Sequence, residues 1–517
     1  MRSSLRRSGD QILGFYREHR DLINVGLLLA LALAIRLPYM TRPLHGDEMR
    51  TFVKFVEHQS LVEIITEHPK ANNHILNSML MRSSLVLFGE APWILRLHNL
   101  FFGLSSIWIL YLFSLKYFNR TVALITAFLF SIHPGMILYS VWGRGYSGLI
   151  LFTLLSSFFF LNLLKGLNWR DLVLYLVVSI LAILSHLFAV NVLIAQGCLV
   201  LLVFVKGDGE SGVVSRLMRL GPLVLSIIAV AVATAGVYWA VFGSRLSGDS
   251  VSYAIQWKFP IAFVNYLGGL GYVAEPRVLP VLVCLVAIWG FIFALENRFL
   301  RSYILILFLA PAGLYFLSMY DPFLTLHTRF FIFLVPFYLL LVSAAIVTIC
   351  DLGKRRCSGW IQKGTCISCV VIAAIFAFSL FQNVDVRSPK PQQVESEKKM
   401  RSFFEKYSPS CFLTNNRHFL DTRFGREYPV GAISSVWSIE EIKRFLAATK
   451  RPTVFYVFIP QHRYSARNLI HYKKKESPEE LYRRSNELEE FLDSIAIAKE
   501  ELPRIGVVYT LKEARGE

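Results

Sequence analysis

Two adjacent carboxylates open the chemistry of this chain: Asp47 and Glu48, in the run Gly46-Asp47-Glu48-Met49-Arg50, shortly after a first long apolar segment. A carboxylate pair at the edge of a bilayer is costly to desolvate, and a polytopic protein that keeps one there usually turns it toward a wet cavity where something reacts or passes. The same loop continues into His68-Pro69-Lys70-Ala71-Asn72-Asn73-His74. Its side chains reach phosphate or hydroxyl groups, and they equally suit a solvated turn that stops at a proline.

The elements that must hold these residues are read from composition. With 54% hydrophobic and 14% aromatic residues and a mean hydropathy of +0.48, the chain lies outside the range of soluble domains of its size. Crossing about 30 Å of hydrocarbon takes roughly 20 apolar residues per helix. On that basis about 11 transmembrane helices are expected, at 22–40, 95–115, 121–139, 147–164, 171–184, 187–205, 220–242, 275–295, 302–319, 330–350 and 364–382. The stretch 171–205 reads as two short helices that meet at Ser185-His186, because a single helix of that length overshoots the bilayer.

Alternate loops differ in charge. The set 1–21, 116–120, 165–170, 206–219, 296–301 and 351–363 carries 18 Lys and Arg, whereas 140–146, 243–274 and 320–329 hold only Arg144, Arg245, Lys258 and Arg329. Cationic loops stay in the cytoplasm, which places the amino terminus inside and the carboxyl-terminal region outside. The inner loops then explain much of the net charge of +18, and no nucleic-acid partner is needed. The first apolar segment lacks a small-residue cleavage pattern and reads as an uncleaved anchor. Seven scattered cysteines outline no disulfide framework, and Cys366-x-x-Cys369 within an apolar run reads as packing.

The organisation follows. Residues 1–382 form the transmembrane part, with a first outer loop at 41–94 in which apolar residues at helical spacing suggest two helices lying in the interface, over 47–67 and 74–88. Residues 383–517 begin with a polar linker and read as a small extracytoplasmic α/β domain, with strands near 410–415, 453–459 and 505–510 and helices near 438–448 and 477–496.

Taken together these features resemble the integral-membrane glycosyltransferases of the C-type fold that use polyprenyl-phosphate sugar donors, in particular the family of protein O-mannosyltransferases and lipid A aminoarabinose transferases. The matching residues are Asp47-Glu48-Met49-Arg50 just past the first helix, His68-Pro69, Phe88-Gly89, Arg96-Leu97 at the head of the second helix, Tyr139-Ser140, Arg144-Gly145-Tyr146, and Arg329-Phe330-Phe331 with Pro336 late in the chain. Two departures stand out: Lys70 occupies the second proline position of the His-Pro-Pro phrase, with Asn72-Asn73-His74 inserted, and Phe330 follows Arg329 where Tyr is frequent.

The resemblance implies sugar transfer, with inversion at the anomeric carbon, from a polyprenyl-phosphate donor in the membrane lipid to a protein, glycolipid or glycan acceptor. Such chemistry must take a proton from the incoming hydroxyl or amine and stabilise a departing phosphate. By resemblance Asp47 is the general base, and Glu48 binds sugar or acceptor or orients its neighbours. Arg50, Lys70, Arg144 and Arg329 are assigned to the phosphate, since Arg offers forked donors and Lys a mobile point charge. His74, Tyr146, His186 and His327 add hydrogen bonds to donor phosphate or sugar. The bland readings are a helix cap for Asp47, snorkelling anchors for Arg144 and Arg329, and a structural bond for His186. His68 and His74 impose no metal geometry, so a divalent metal held with Asp47 and Glu48 is the less favoured reading and no cofactor is expected. The compact loops favour a bacterial plasma membrane. An oligosaccharide ligase or polymerase, a lipid transporter or flippase, and a membrane scaffold are the competing classes. A transporter would show a repeat between halves and broken helices at mid-bilayer.

Overall fold

The computed structural model describes residues 2–42, 44, 47–66, 73–206, 213–246, 259–270, 277–320, 327–356, 374–380, 412–414, 433–435, 442–443, 453–458, 478–502 and 506–512. Its helices are α1 (Arg2–Met40), α2 (Asp47–Phe55), α3 (Leu61–Thr66), α4 (Ile75–Phe88), α5 (Pro92–Tyr117), α6 (Arg120–Ile132), α7 (Pro134–Ser140), α8 (Tyr146–Leu163), α9 (Trp169–Ser185), α10 (Val190–Lys206), α11 (Val213–Leu246), α12 (Phe259–Leu267), α13 (Val278–Phe293), α14 (Arg298–Tyr320) and α15 (Val335–Arg356). Among the described residues seven helices are long and apolar enough to cross a membrane, or eight when α6 and α7 count as one bent span. The chain is an integral membrane protein.

Ten of the eleven expected spans have counterparts among these helices, the one at 121–139 as a pair. The helix expected over 121–139 is two, bent by 63° between α6 and α7. Pro134 has no N–H to continue the ladder, and the N–H of Gly135 turns instead to His133 Nδ1 at 3.1 Å. The span at 171–184 corresponds to a helix of 17 residues, Trp169–Ser185, and the one at 275–295 to a shorter helix of 16, Val278–Phe293. The one at 364–382 lies largely outside the described residues, as do Cys366 and Cys369.

In the first loop, the helix expected over 47–67 is also two. A reciprocal cap starts α3: Ser60 N–H donates to Glu63 Oε2 at 2.5 Å, and Glu63 N–H to Ser60 Oγ at 3.2 Å.

The central helices α8 and α15 are buried along most of their length, in an apolar core shared with α5, α6, α9, α10 and α14. Hydrophobicity gives no register inside a membrane, so polar side chains supply it. Tyr175 donates to Gln196 Oε1 at 2.7 Å, Gln196 donates to Ser156 Oγ at 3.0 Å, and Ser156 meets Ser179 at 2.9 Å, which ties α8, α9 and α10 together. Ser157 and Tyr303 link α8 to α14 at 2.7 Å.

Beyond these helices the described residues form a mixed sheet in the order β2-β1-β3-β5-β4, from β1 (Phe412–Thr414), β2 (Ile433–Ser435), β3 (Thr453–Phe458), β4 (Ala496–Leu502) and β5 (Gly506–Lys512). β1 pairs in parallel with β2 and β3, while β5 runs antiparallel to β3 and β4. A helix, Pro478–Ile495, precedes β4.

Candidate functional site

Four chain segments meet at one end of the bundle: the start of α2, the loop between α7 and α8, the junction of α9 with α10, and the 3-10 stretch Thr328–Leu334 that leads into α15. Asp47 and Glu48 begin α2, where carboxylates complement the exposed N–H groups of a helix start. Their surroundings differ sharply. Glu48 is fully buried and receives Arg96 through two bonds, Nε to Oε1 at 2.7 Å and Nη2 to Oε2 at 2.5 Å. The same Oε1 accepts the N–H of Gly143 at 2.6 Å. Arg96 Nη1 also donates to the carbonyls of Tyr39, Met40 and Arg42. One guanidinium thus closes the end of α1, fixes the first turn of α2 and anchors the α7–α8 loop.

That loop, Val141 to Gly145, comes close to its neighbours only because of its glycines. A side chain at Gly143 would meet Met81 and, at 2.9 Å, Glu48 Oε1; one at Gly145 would run into the Ser185 carbonyl and, at 2.9 Å, His74. Asn77 holds the Gly143 carbonyl at 3.1 Å, its own Oδ1 accepts from Asn99 at 3.0 Å, and Ser147 donates to Asn99. A pinned loop results, and it carries Arg144 and Tyr146 toward α2.

Asp47 is the part-exposed carboxylate, at 32% of its side-chain surface, and its Oδ2 lies 3.2 Å from Arg329 Nη1. Arg144 Nη1 lies 3.5 Å from the Asp47 carbonyl and donates to Thr51 Oγ1 at 2.5 Å. Burial pushes the Arg144 guanidinium down from its ordinary range, while Tyr146 and Asp47 pull it up.

Behind the two arginines stands a wall of rings. His74 stacks on His186 with centroids 4.7 Å apart, and Tyr146 lies 5.5 Å from His74 and 4.9 Å from His186. Tyr139 and Phe330 continue the wall, at 4.5 Å from Tyr146 and 5.6 Å from His186. His186 caps the turn after α9, its Nδ1 accepting the Phe188 N–H at 3.1 Å. Burial, then the charges of Arg144, His186 and Arg329, hold His74 well below the usual imidazole range, so it is neutral; a hydrogen bond with Ser185 opposes them.

Of the residues singled out in the sequence, Asp47, Arg144, Tyr146, His186, His74 and Arg329 come together here. Glu48 adjoins them from inside the wall. Arg50 is half-buried on α2. His327 stands at the start of the 3-10 stretch, edge-on to Phe330 at 5.2 Å. Lys70 and His68 lie outside the described residues. Among the described residues no three His, Cys, Asp or Glu side chains group as a metal site would need. Sequence reasoning used Arg96 only as a landmark and missed its grip on Glu48; Thr51, Asn77, Asn99 and Gly143 were missed too, since each works through a partner far away in the chain.

Residues 68–239 match the family model described as dolichyl-phosphate-mannose-protein mannosyltransferase. Over 94% of this chain and 97% of the other, the structure is similar to ArnT from Cupriavidus metallidurans in the apo state, at 12% identity and a TM-score of 0.55. The chain has the fold of the C-type membrane glycosyltransferases. ArnT bound to undecaprenyl phosphate matches with the same coverage and identity at a TM-score of 0.54. A second C-type enzyme, the Archaeoglobus fulgidus oligosaccharyltransferase tethered to an acceptor peptide, matches at 13% identity and a TM-score of 0.52, over 86% of this chain and 70% of that one. No curated protein sequence is matched.

Proposed function

We propose that this protein transfers a sugar, with inversion, from a polyprenyl-phosphate carrier to a hydroxyl or amine of a protein, lipid or glycan at the outer face of a bacterial plasma membrane. In this reading the amino terminus is cytoplasmic and residues 383–517 are extracytoplasmic. The observation that carries the proposal is the reachable Asp47 carboxylate beside Arg329, with Arg144 against the Asp47 backbone carbonyl.

Asp47 takes the acceptor proton as the acceptor oxygen or nitrogen bonds to the anomeric carbon. The bond from that carbon to the phosphate oxygen breaks, and its electron pair leaves on the phosphate. Transfer with this charge flow needs fixed cations where negative charge grows. Arg329 suits that role, because its Nε has no partner among the described residues and a guanidinium offers five donors. Arg144 supplies the second cation, and Tyr146 and His186 supply hydrogen bonds. Glu48, already saturated by Arg96 and the Gly143 N–H, acts by orienting α2 so that Asp47 faces the opening.

The lipid carrier is supported by the family matched over 68–239 and by a relative of the same fold that holds undecaprenyl phosphate. The test is mass spectrometry of glycolipids and envelope glycoproteins from cells carrying Asp47→Asn beside wild type. Loss of one hexose- or pentose-sized adduct, with the variant present at normal levels, is expected. An unchanged profile overturns the assignment.

A further inference from the structure

A cation buried within a spanning helix must be held by partners that repay its lost hydration, and those partners show what it does. Arg36, on α1 one turn before its end, is fully buried. Its Nε donates to Ser140 Oγ at 2.7 Å, and its Nη1 donates to the carbonyls of Ala32 and Ser131, each at 3.0 Å. No carboxylate is among these partners. We infer that Arg36 is a positioning residue for the site: it pins the break between α6 and α7 through Ser131 and Ser140, and so sets the loop that delivers Arg144 and Tyr146 to Asp47.

The break explains the need for it. In a continuous helix the Ser131 carbonyl would accept the N–H of Gly135, but that N–H goes to His133 Nδ1. The orphaned carbonyl sits at the negative end of α6, where a cation is favoured. Arg36 fills the vacancy. It then reaches across to Ser140, the last residue of α7, whose hydroxyl also donates to the Met136 and Ile137 carbonyls at 2.8 Å. The third wall of the lock is Gly103 on α5: a Cβ there would overlap the Ser140 Cβ and lie 3.2 Å from its Oγ. Four residues after Ser140 the chain reaches Arg144, too few for the loop to absorb a displacement of α7. Arg36 itself is fully buried, so it affects a ligand only through its neighbours.

The inference rests on the proposed role of Arg144 in holding a phosphate, and the experiment separates the two. Arg36→Gln, the milder Ser140→Ala, and Gly103→Ala are compared with Arg144→Ala by titrating purified protein with a short-chain polyprenyl phosphate. Each lock variant is expected to weaken binding about tenfold or more, as loss of a bond to a charged group does. Combined with Arg144→Ala it should cost nothing further. Hydrogen exchange, measured without ligand, should quicken over 141–146 in all three. A fall in melting temperature with unchanged affinity and unchanged exchange overturns the inference, as does an additive loss. If Arg144→Ala binds as well as wild type, the phosphate role of Arg144 fails instead, and exchange over 141–146 alone decides whether Arg36 sets the loop.

Discussion

Asp47 and Arg329 are 282 positions apart in the chain, yet Oδ2 of one lies 3.2 Å from Nη1 of the other. The contact closes a ring between the first loop and the entry to the last described membrane helix. Both side chains are about a quarter to a third exposed, so solvent screens the pair and it adds no more than about 1 kcal/mol to stability. Replacement of Arg329 therefore separates chemistry from folding. Arg329→Ala should lower transfer by about 10²–10³, as the loss of a donor to developing charge does. Its melting temperature should stay near that of wild type, and Arg329→Lys should keep part of the activity through charge alone. The yield of the adduct abolished by Asp47→Asn is the measurement.

Glu48 should behave in the opposite way. Removing one member of a buried ion pair leaves the other charged and unsolvated, at a cost of about 3–5 kcal/mol. Glu48→Ala is expected to lose stability on that scale, read as thermal unfolding in detergent. Arg96→Met should cost at least as much, because it also strips the carbonyls of Tyr39, Met40 and Arg42 of their donor, and adding Glu48→Leu should recover only the part due to the stranded carboxylate.

Gly145 tests the close approach of the α7–α8 loop. A methyl group there meets the Ser185 carbonyl, part of the backbone, so the loop or the α9 terminus must move. Gly145→Ala should cost about 1–3 kcal/mol and reduce transfer in the same protein. Gly166→Ala, where a Cβ meets nothing within 4 Å, is the control and should leave both unchanged.

His74 predicts a pH dependence. Its folded-state pKa lies well below 6.5, its value in an unfolded chain, so below that pH the unfolded state binds the extra proton. Stability from this group is complete above about pH 6.5 and falls as pH drops below it, by up to about 1.4 kcal/mol per pH unit. His74→Phe, which keeps the stack on His186, should flatten that part of the stability–pH curve. Thermal melts between pH 5 and 8 would show it, and an unchanged slope would contradict the burial of a neutral ring.

Legibility in the sequence followed the range of the forces involved. Asp47, Arg144, Tyr146, His186 and Arg329 are polar residues at the ends of apolar runs, and alternation of the runs puts those ends on one side. Arg36 and Arg96 sit within or at the head of apolar runs, and nothing local marks what they hold, since Ser140 is 104 positions from Arg36 and Glu48 is 48 from Arg96. Pro134 breaks the ladder inside the span expected over 121–139, and a 63° turn also requires the freed Ser131 carbonyl to be met from another helix. In the carboxyl-terminal region, Ala496–Leu502 contains Ala, Lys, Glu and Leu, all good helix formers, and propensity alone carries the preceding helix into it. Pairing with Gly506–Lys512 overrides that preference.

Successive residues at a helix start point roughly 100° apart around the axis. Asp47 and Glu48, though neighbours in the chain, therefore meet different partners, Arg329 for one and Arg96 with the Gly143 N–H for the other, and on the proposed function the tandem acids divide into a tool at the mouth and a rivet in the wall. Their order carries meaning: exchanging them as Asp47→Glu with Glu48→Asp would keep composition and charge, yet leave the rivet a methylene short and push the tool a methylene too far.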